Sequence, residues 1–549
     1  MHNPALLPSS YQRAAERSMA VLLNCYLREY AQPRGAVEEA SGELPRALKI
    51  HPHVLSIRFP HLEKACLIAH QGRLRSNYVF CSEPYAQASV SRVLDWRELA
   101  SLVIAELGCE FPQAFNSELL AQVENSLSNL QQYYAHPPSP GDSPFLYSEQ
   151  MLSAGHTYHP APKAREGMSD VDLYAYSPEL QAEFQLFYFG VSERCFVHKS
   201  NVELHPGLPD LQRTFSGFSD QPIVGVHPWQ ARFLLEQPVV QKALQDGRLT
   251  ALGTGGIRFS PTASVRTLYS RHSPYFFKQS LHMRLTNCVR KNAWYELESA
   301  LLLDRHWRAL PQALPDFTLL SEPAYTTVDL GDTLTREAFS TIYRDARPIQ
   351  SSPHPVYMAA ALFGGTADGQ LLERALGGGD ALEWFREYCR LIVWPALHYY
   401  AHHGVVFEPH LQNTLLQVQG GKPRHGYFRD LEGTKLVGSR LHQTMHPEIA
   451  RSVYYSDEQA WRRFAYCIVF NQLSEVIQHL SAVPAVELWQ ATRQSLHDYQ
   501  AAYGNRESQR IILRLLQDRK LPVKANLITR FLREKDRNAT YVWVENPLR

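Results

Sequence analysis

Hydrophobic residues in the first 140 positions recur mostly at three- and four-residue spacing, which is the period of an amphipathic helix. The pattern runs through SSYQRAAERSMAVLLNCYLREYAQ, with Ser9 as a candidate N-cap, and through LLAQVENSLSNLQQYY. Two interrupting segments, VLSIRF and NYVFC, have the pattern of strands. We therefore predict a mainly helical domain over residues 1–140.

The segment HPPSPGDSP, residues 136–144, contains four prolines and a glycine and cannot continue a helix, so it predicts a domain boundary. Short runs such as IVGVHPWQ, GIRFS, SVRTLYS and YFFKQSLHM follow, separated by turn residues, and predict a mostly antiparallel sheet. In YFFKQSLHM, Phe277, Leu281 and Met283 fall on one face of an extended strand. Lys278 falls on the other face and is predicted to point away from the core.

A helix is predicted over NAWYELESALLLDRHW, and LPQALPDF places a second boundary near residue 315. Residues 316–549 are again largely helical, and DALEWFREYCRLIVWPALHYYAHHG is the clearest helix, with Asp380 and Gly404 as candidate caps. Pro395 is expected to kink it. The predicted domains are 1–140, a β-rich 141–315, and a mainly helical 316–549.

The charge balance excludes a global field for nucleic acid or anionic lipid, because 55 Lys and Arg oppose 54 Asp and Glu. The eight cysteines contain no C-x-x-C pair, which argues against a zinc ribbon or a disulfide framework. The N-terminal sequence lacks a basic region followed by an apolar core, and no apolar run reaches the ~18 residues of a membrane span. We expect a cytoplasmic protein that binds neither nucleic acid nor membrane.

The first candidate site is GHTYHPAPKAREG, residues 155–167, which groups His156, His159, Lys163 and Arg165 between glycines. Fixed cations of this kind stabilise phosphoryl oxygens or carboxylates. An exposed basic loop is the alternative, and zinc is disfavoured because no cysteine lies nearby.

The second candidate site is GTGGIRFSPTASVRTLYSRHSPYFFKQS, residues 253–280. Ser264, Arg266, Thr267 and Lys278 offer hydroxyl and cationic donors on adjacent predicted strands, which suits a phosphate-binding sheet rather than a helix-based cradle. A hairpin with ordinary surface charges is the alternative. Arg290, placed by the pattern in a following helix, is a further candidate anion ligand.

The third candidate site is FEPHLQNTLLQVQGGKPRHGYFRDLEG, residues 407–433. Glu408, His410 and Gln412 alternate, so an extended backbone would project them together. Symmetric pairing about the Gly-Gly-Lys-Pro turn places Asn413 opposite Asp430, and these are the oxygen ligands that Mg²⁺ prefers. The alternative is a polar strand end with a satisfied histidine.

Six segments in order, GHTYHPAPKAREG, VHPWQ, SVRT, KQSL…LTNCVR, FEPHLQN and YFRDLEG, resemble the NRPS-independent siderophore (NIS) synthetases, the IucA/IucC or aerobactin synthetase family. The resemblance covers roughly residues 150–435. Thr157 and Pro409 depart from residues common in the family and concern loop shape. Taken alone, VHPWQ is a weak signal, and its His227 is equally compatible with a core position and a ligand.

The resemblance implies an α+β, multi-domain fold likened to a cupped hand, usually dimeric. Its parts would be a helical thumb, β-rich antiparallel fingers that bind ATP, and a mixed, partly kinase-like palm. It also implies that a carboxylate of citrate, a citrate derivative or 2-oxoglutarate attacks the α-phosphate of ATP. An amine, a hydroxylamine derivative or an amino alcohol then displaces AMP, as in siderophore biosynthesis for iron acquisition.

The resemblance also implies roles for the residues of this chain that match the family's motifs. The ATP ligands would be Gly155, His156, His159, Lys163, Ser264, Arg266, Thr267 and Lys278. Glu408, Asn413 and Asp430 would hold Mg²⁺, and Arg290, His410 and Gln412 would hold the carboxylate substrate. His410, Arg290 and Lys278 would be catalytic, with His410 stabilising the oxyanion in acyl transfer.

Two other classes of function stay open on the sequence: a kinase-like phosphotransferase that releases ADP, and a non-catalytic sensor of nucleotide or citrate. Gln412 stands two residues after His410, where a kinase would have its aspartate base, and this disfavours the kinase. No motif selects the acid or the nucleophile.

Overall fold

The computed structural model describes residues 8–74, 77–88, 90–203, 214–215, 221–285, 288–364, 370–438, 446–534 and 539–549. Helices and sheets are mixed along the whole described chain. In these residues no helix is both long enough and apolar enough to cross a membrane.

The helices lie in three stretches of the chain. The first stretch holds α1 Ser10–Tyr26, α2 Trp96–Glu110, α3 Glu118–Ala135, α4 Pro144–Gln150 and α5 Asp170–Tyr176. The second holds α6 Pro228–Leu235, α7 Pro238–Gln245, α8 Trp294–Arg308, α9 Thr333–Ala338, α10 Arg347–Gln350, α11 Ala359–Leu362 and α12 Gln370–Leu376. The third holds α13 Ala381–His403, α14 Pro447–Val453, α15 Asp457–Ala465, α16 Glu475–His479, α17 Ala485–Tyr503, α18 Arg506–Gln517 and α19 Asn526–Phe531. Two π-helical segments, Leu27–Ala31 and Tyr466–Ser474, continue α1 and α15.

The N-terminal region contains a six-stranded sheet beside its helices, which is more strand than the two segments predicted. Its strands are β1 Val37–Glu39, β2 Val54–Phe59, β3 Lys64–Leu74, β4 Asn77–Phe80, β5 Tyr85–Ala86 and β6 Arg92–Val93. Ser9 caps α1 as predicted, since its side chain accepts the Gln12 N–H in a capping box.

The predicted antiparallel sheet is confirmed and has eight strands in the order β10-β8-β11-β12-β13-β18-β17-β9. The strands are β8 Phe184–Val191, β9 Phe196–Ser200, β10 Ile223–Val226, β11 Leu249–Pro261, β12 Thr267–Tyr269, β13 Tyr275–Gln279, β17 Ala324–Val328 and β18 Thr341–Asp345. Because β17 and β18 follow residue 315, the sheet continues beyond the predicted second boundary.

Small sheets complete the fold and carry the site. They comprise β7 Arg165–Glu166, β14 Arg284–Leu285, β15 Cys288–Val289, β16 Phe317–Leu319, β19 Val356–Met358, β20 Val405–Val406, β21 Thr414–Gln419, β22 Lys422–Phe428, β23 Lys435–Val437, β24 Tyr454–Tyr455, β25 Lys520–Lys524 and β26 Tyr541–Glu545. The sheet order β16-β22-β21-β19 puts the β21–β22 hairpin at its centre.

Helix α13 supports this hairpin and begins and ends as predicted. Asp380 accepts the N–H groups of Leu382 and Glu383, and Gly404 ends the helix in the left-handed conformation, φ 64°. The hairpin approaches so closely that a Cβ on Gly426 would lie 2.5 Å from the Leu391 carbonyl oxygen. A large apolar cluster buries both elements.

Candidate active site

The β21–β22 hairpin turns one residue earlier than predicted. Its turn is Gly420–Gly421, with φ of 55° and 74°, the two-residue turn that glycine favours. A register shift next to Gln417 then moves the pairing by one residue. Asn413 therefore lies opposite Arg429, whose N–H donates to the Asn413 carbonyl at 3.1 Å, and the predicted pairing with Asp430 is wrong.

The segment before the hairpin is not extended as predicted. The His410 N–H donates to the Glu408 carbonyl at 2.9 Å, and a 3₁₀ turn, Leu411–Asn413, follows at once. Glu408, His410 and Gln412 therefore do not share one strand face. The Glu408 carboxylate still lies against the segment after the hairpin, because a Cβ on Gly433 would be 2.4 Å from its Oε2.

Lys278 is the centre of an ion cluster between β13 and the segment after the hairpin. We call Arg266, Lys278, Arg344, Asp430 and Glu432 the central cluster. Lys278 Nζ contacts Asp430 and lies 3.1 Å from Glu432, and Arg266 lies 2.7 Å from Glu432. The prediction that Lys278 points away from the core is wrong, because the Asp430 segment covers that face of the sheet and leaves the lysine buried.

Mutual pairing keeps the central cluster ionised. Burial alone raises the pKa of Asp430, but Lys278 and Arg344 outweigh burial and hold this pKa far below its usual range. Burial acts the same way on Glu432, yet Lys278 and Arg266 lower its pKa to about 2. Burial and the Glu432 charge raise the pKa of neighbouring Glu296 to about 7.

Asp430 in the central cluster and Val265 beside it adopt strained backbone conformations. Val265 has φ 67° and Asp430 has φ 78°, although neither is glycine. The Val265 N–H donates to the Thr262 carbonyl at 2.8 Å, and the Thr267 N–H donates to Ser264 Oγ at 3.1 Å, so residues 262–267 form a closed turn. Such strain costs about 1–3 kcal/mol per residue and clusters at functional sites.

His156 and His410 lie close together. Their ring centroids are 6.3 Å apart, and the Nδ1 of His156 accepts the Tyr158 N–H at 3.0 Å. The Nδ1 of His410 is buried, with no hydrogen-bond partner among the described residues. Burial lowers the pKa of both rings, and at His410 it outweighs the opposing charges of Glu408 and Asp430, so both are neutral near pH 7.

Lys163 and Arg165 do not join the central cluster. Both pair with Glu179, at 2.5 Å and 2.6 Å, and all three side chains are buried. We call this trio the sealed cluster. Lys163 is buried and held by Glu179, so the alternative of an exposed basic loop is wrong for it, and a phosphate would have to displace Glu179 to reach it.

The remaining predicted residues of the first two candidate sites differ in burial and in backbone conformation. His159 is buried and its Nδ1 accepts the Ala161 N–H, whereas His156 is half-buried. Gly155 is left-handed, and a Cβ there would lie 2.7 Å from Pro162. Arg290 follows β15 rather than lying in a helix, and its backbone pairs with Met283.

His227 is a core residue, which was one of the two alternatives predicted for it, the other being a ligand. It packs 4.6 Å from Phe184 and 4.7 Å from Tyr176, centroid to centroid, and caps α6 by accepting the Trp229 N–H. Burial lowers its pKa to about 3.

C-terminal residues that no motif indicated complete the site. Gln472 bonds the Pro409 carbonyl and the Thr414 hydroxyl, and so fixes both ends of residues 409–414. Arg463 lies 3.0 Å from Glu408 and donates to the Gly433 carbonyl at 2.8 Å. Sequence reasoning missed these residues because they reach the site only through the tertiary fold. The one structural feature that marks Gln472 is its position in a fully buried π-helical segment, a feature that is frequent at functional sites.

Comparison with known families divides the chain in two. The model of the IucA / IucC family matches residues 144–364, which include Lys278, Arg266 and the eight-stranded sheet. The model described as ferric iron reductase FhuF-like transporter matches residues 382–539, which include the hairpin and Gln472.

Individual proteins match between about three fifths and nearly all of the chain. It is 27% identical to the spermidine-citrate ligase of Bacillus anthracis, with 98% of each chain covered. It is 30% identical to the N(2)-citryl-N(6)-acetyl-N(6)-hydroxylysine synthase of Vibrio mimicus, over 62% of this chain and 63% of that one. The ATP-bound aerobactin synthetase IucA of a hypervirulent Klebsiella pneumoniae pathotype shares the fold, with a TM-score of 0.82, 23% identity, and coverage of 97% and 99%.

These matches agree with the motif order in the sequence and with the placement of the motifs around one site. Residues 144–364 match the IucA / IucC family, and the chain is similar over nearly its whole length to a citrate ligase and to an aerobactin synthetase.

Proposed function

We propose that this protein is an ATP-dependent siderophore synthetase. It adenylates a carboxylate of citrate or a related acid and condenses the product with an amine or alcohol, releasing AMP and pyrophosphate. The observation that carries the proposal is the end-to-end similarity to a citrate ligase, together with the central cluster on the matched motifs.

The central cluster supplies the electrostatics that this reaction needs. Attack of a carboxylate on ATP brings two anions together, so fixed cations must offset their repulsion. Arg266 and Lys278 are held by carboxylates that phosphate oxygens would replace, and Ser264 and Thr267 lie in the adjoining turn. Half-buried His156 is a better candidate contact than buried His159, and Lys163 has no part because Glu179 holds it.

Mg²⁺ would be held by Asn413, Asp430 and Glu408. Amide and carboxylate oxygens are the donors it prefers, and Asn413 donates its Nδ2 to the Glu408 carbonyl, which leaves its Oδ1 as a ligand. Among the described residues no group of three or more His, Cys, Asp or Glu suits a metal, and Mg²⁺ usually completes its shell with substrate phosphates and water. When bound, the ion neutralises phosphate charge and orients the nucleotide.

The acid would bind beside His410, with Arg290 and Gln412. A neutral imidazole can donate a hydrogen bond to the oxyanion of acyl transfer. The relatives named for spermidine, diaminopropanoate and hydroxylysine derivatives indicate an amine as the nucleophile here.

The remaining features of the proposal concern assembly. The thumb, fingers and partly kinase-like palm would correspond to residues 1–140, 141–315 and 316–549, with the eight-stranded sheet reaching into the third part. The enzyme would act as a homodimer in the cytoplasm.

A screen of acids against amines, followed by AMP release with MgATP, tests the proposal. Citrate-dependent AMP formation that requires an amine is the expected result. ADP as the only nucleotide product would favour the kinase, and absence of turnover with every pair would favour the sensor.

A further inference from the structure

Glu149, in α4, is a buried carboxylate that lies outside every motif used above. Its side chain is fully enclosed, and Arg429 donates Nη1 to its Oε1 at 2.6 Å and Nη2 to its Oε2 at 3.2 Å. The Ala263 N–H donates to the same Oε2 at 3.0 Å. One carboxylate therefore joins two segments that are far apart in sequence.

The contact with Ala263 holds the start of the strained turn. Ser264, Arg266 and Thr267, the proposed phosphate ligands, follow at once, and Val265 between them is left-handed. A backbone in a sparsely populated conformation persists only where its surroundings impose it. Glu149 is one of those surroundings.

The contact with Arg429 holds the other side of the site. Arg429 also donates to the Gln412 carbonyl, from Nε at 3.0 Å and Nη2 at 2.7 Å, and its N–H pairs with Asn413. Asp430 is the next residue. Glu149 thus fixes, through one guanidinium, the segment that carries the proposed acid and metal ligands.

We propose that Glu149 is a positioning residue that sets the distance between the phosphate-binding turn and the carboxylate-binding segment, and so aligns the acid with the α-phosphate. The inference rests on the proposed function. Misplacement of reacting groups by about 1 Å can cost about 10²-fold in rate without loss of binding. An effect on kcat rather than on affinity is therefore its signature.

The test compares Glu149→Gln with Glu179→Gln, which alters an equally buried carboxylate in the sealed cluster. For Glu149→Gln we expect adenylation, measured as hydroxamate with hydroxylamine, to fall about 100-fold in kcat. The Kd of ATP and of citrate, each measured alone by calorimetry, should stay close to wild type. Glu179→Gln, assayed below its melting temperature, should keep the wild-type kcat.

Glu149→Asp is the second variant, because it keeps the charge and shortens the side chain by one methylene. It should recover part of the rate lost in Glu149→Gln. Equal losses of kcat in the Glu149→Gln and Glu179→Gln variants would overturn the positioning role, as would a loss of ATP affinity that accounts for the slower rate. Wild-type protein without AMP formation for any acid would instead remove the proposed function, and this inference with it.

Discussion

The central cluster and the sealed cluster are built from the same kinds of residue but differ in whether their carboxylates are exposed to solvent. In the sealed cluster all three side chains are enclosed, and Glu179 is 1% exposed. In the central cluster Lys278 is 2% exposed, whereas Asp430 and Glu432 are 27% and 35% exposed. The cation is buried in both clusters. Exposure of the carboxylate therefore distinguishes the cluster in which an incoming phosphate can replace the carboxylate as the partner of the cation.

This difference has an energetic consequence. A buried carboxylate that loses its cation is left uncompensated, which costs about 3–5 kcal/mol. A carboxylate that still reaches water is rehydrated when an incoming phosphate takes its cation. The sealed cluster therefore serves stability, and the central cluster can serve binding.

The largest expected effect separates the two lysines. Lys278→Met should weaken ATP binding and lower turnover by about 10²- to 10³-fold, because a fixed cation at the reacting phosphates is lost. Lys163→Met should lower the free energy of unfolding by about 1–3 kcal/mol, since Glu179 keeps Arg165 as a partner, and should leave ATP affinity unchanged. Calorimetric ATP titration and urea unfolding of both variants measure ATP affinity and stability. Equal losses of ATP affinity in the two variants would contradict the distinction between the clusters.

A comparable effect, confined to the second half-reaction, is expected at His410. In the proposal Lys278 holds the phosphates and His410 the acyl oxyanion, so His410→Ala should retain ATP binding and hydroxamate formation. Amide formation should fall about 10²- to 10³-fold, as for loss of one oxyanion donor. Rapid-quench measurement of the rates of adenylation and of amide formation tests this assignment. Equal slowing of the two steps would contradict it.

A smaller effect is expected from Lys435, beside the central cluster, whose Nζ donates to the Glu432 carbonyl at 2.5 Å. Burial and then Arg463 lower its pKa to about 8. The unfolded chain keeps this proton up to pH ~10.4, so it binds more protons than the native state between these values. The free energy of unfolding should therefore rise with pH across this window, by at most about 3 kcal/mol.

The control for this prediction is Lys435→Met, which should lack that rise. Urea unfolding of both proteins from pH 7.5 to 10 measures it. Parallel pH profiles of the two proteins would mean that Lys435 is charged throughout.

The sequence predicted what local patterns determine. Hydrophobic period and capping residues located α1, α13 and the antiparallel sheet, and motif order indicated the family that residues 144–364 match. The hairpin register was missed because the turn lies one residue earlier than predicted, and the bulge next to Gln417 restores only one residue of the resulting two-residue offset. The partners Glu179, Glu149, Gln472 and Arg463 were missed because each meets its target only after distant segments have packed.

The central claim is that a carboxylate oxygen attacks the α-phosphorus of ATP. Citrate labelled with ¹⁸O in its carboxylates, incubated with MgATP and an amine that supports turnover, tests it by mass spectrometry. Attack at the α-phosphorus releases pyrophosphate, and the amine then breaks the bond between the acyl carbon and that oxygen. AMP should therefore carry one ¹⁸O and pyrophosphate none, whereas unlabelled AMP, or ADP with labelled phosphate, would contradict the account.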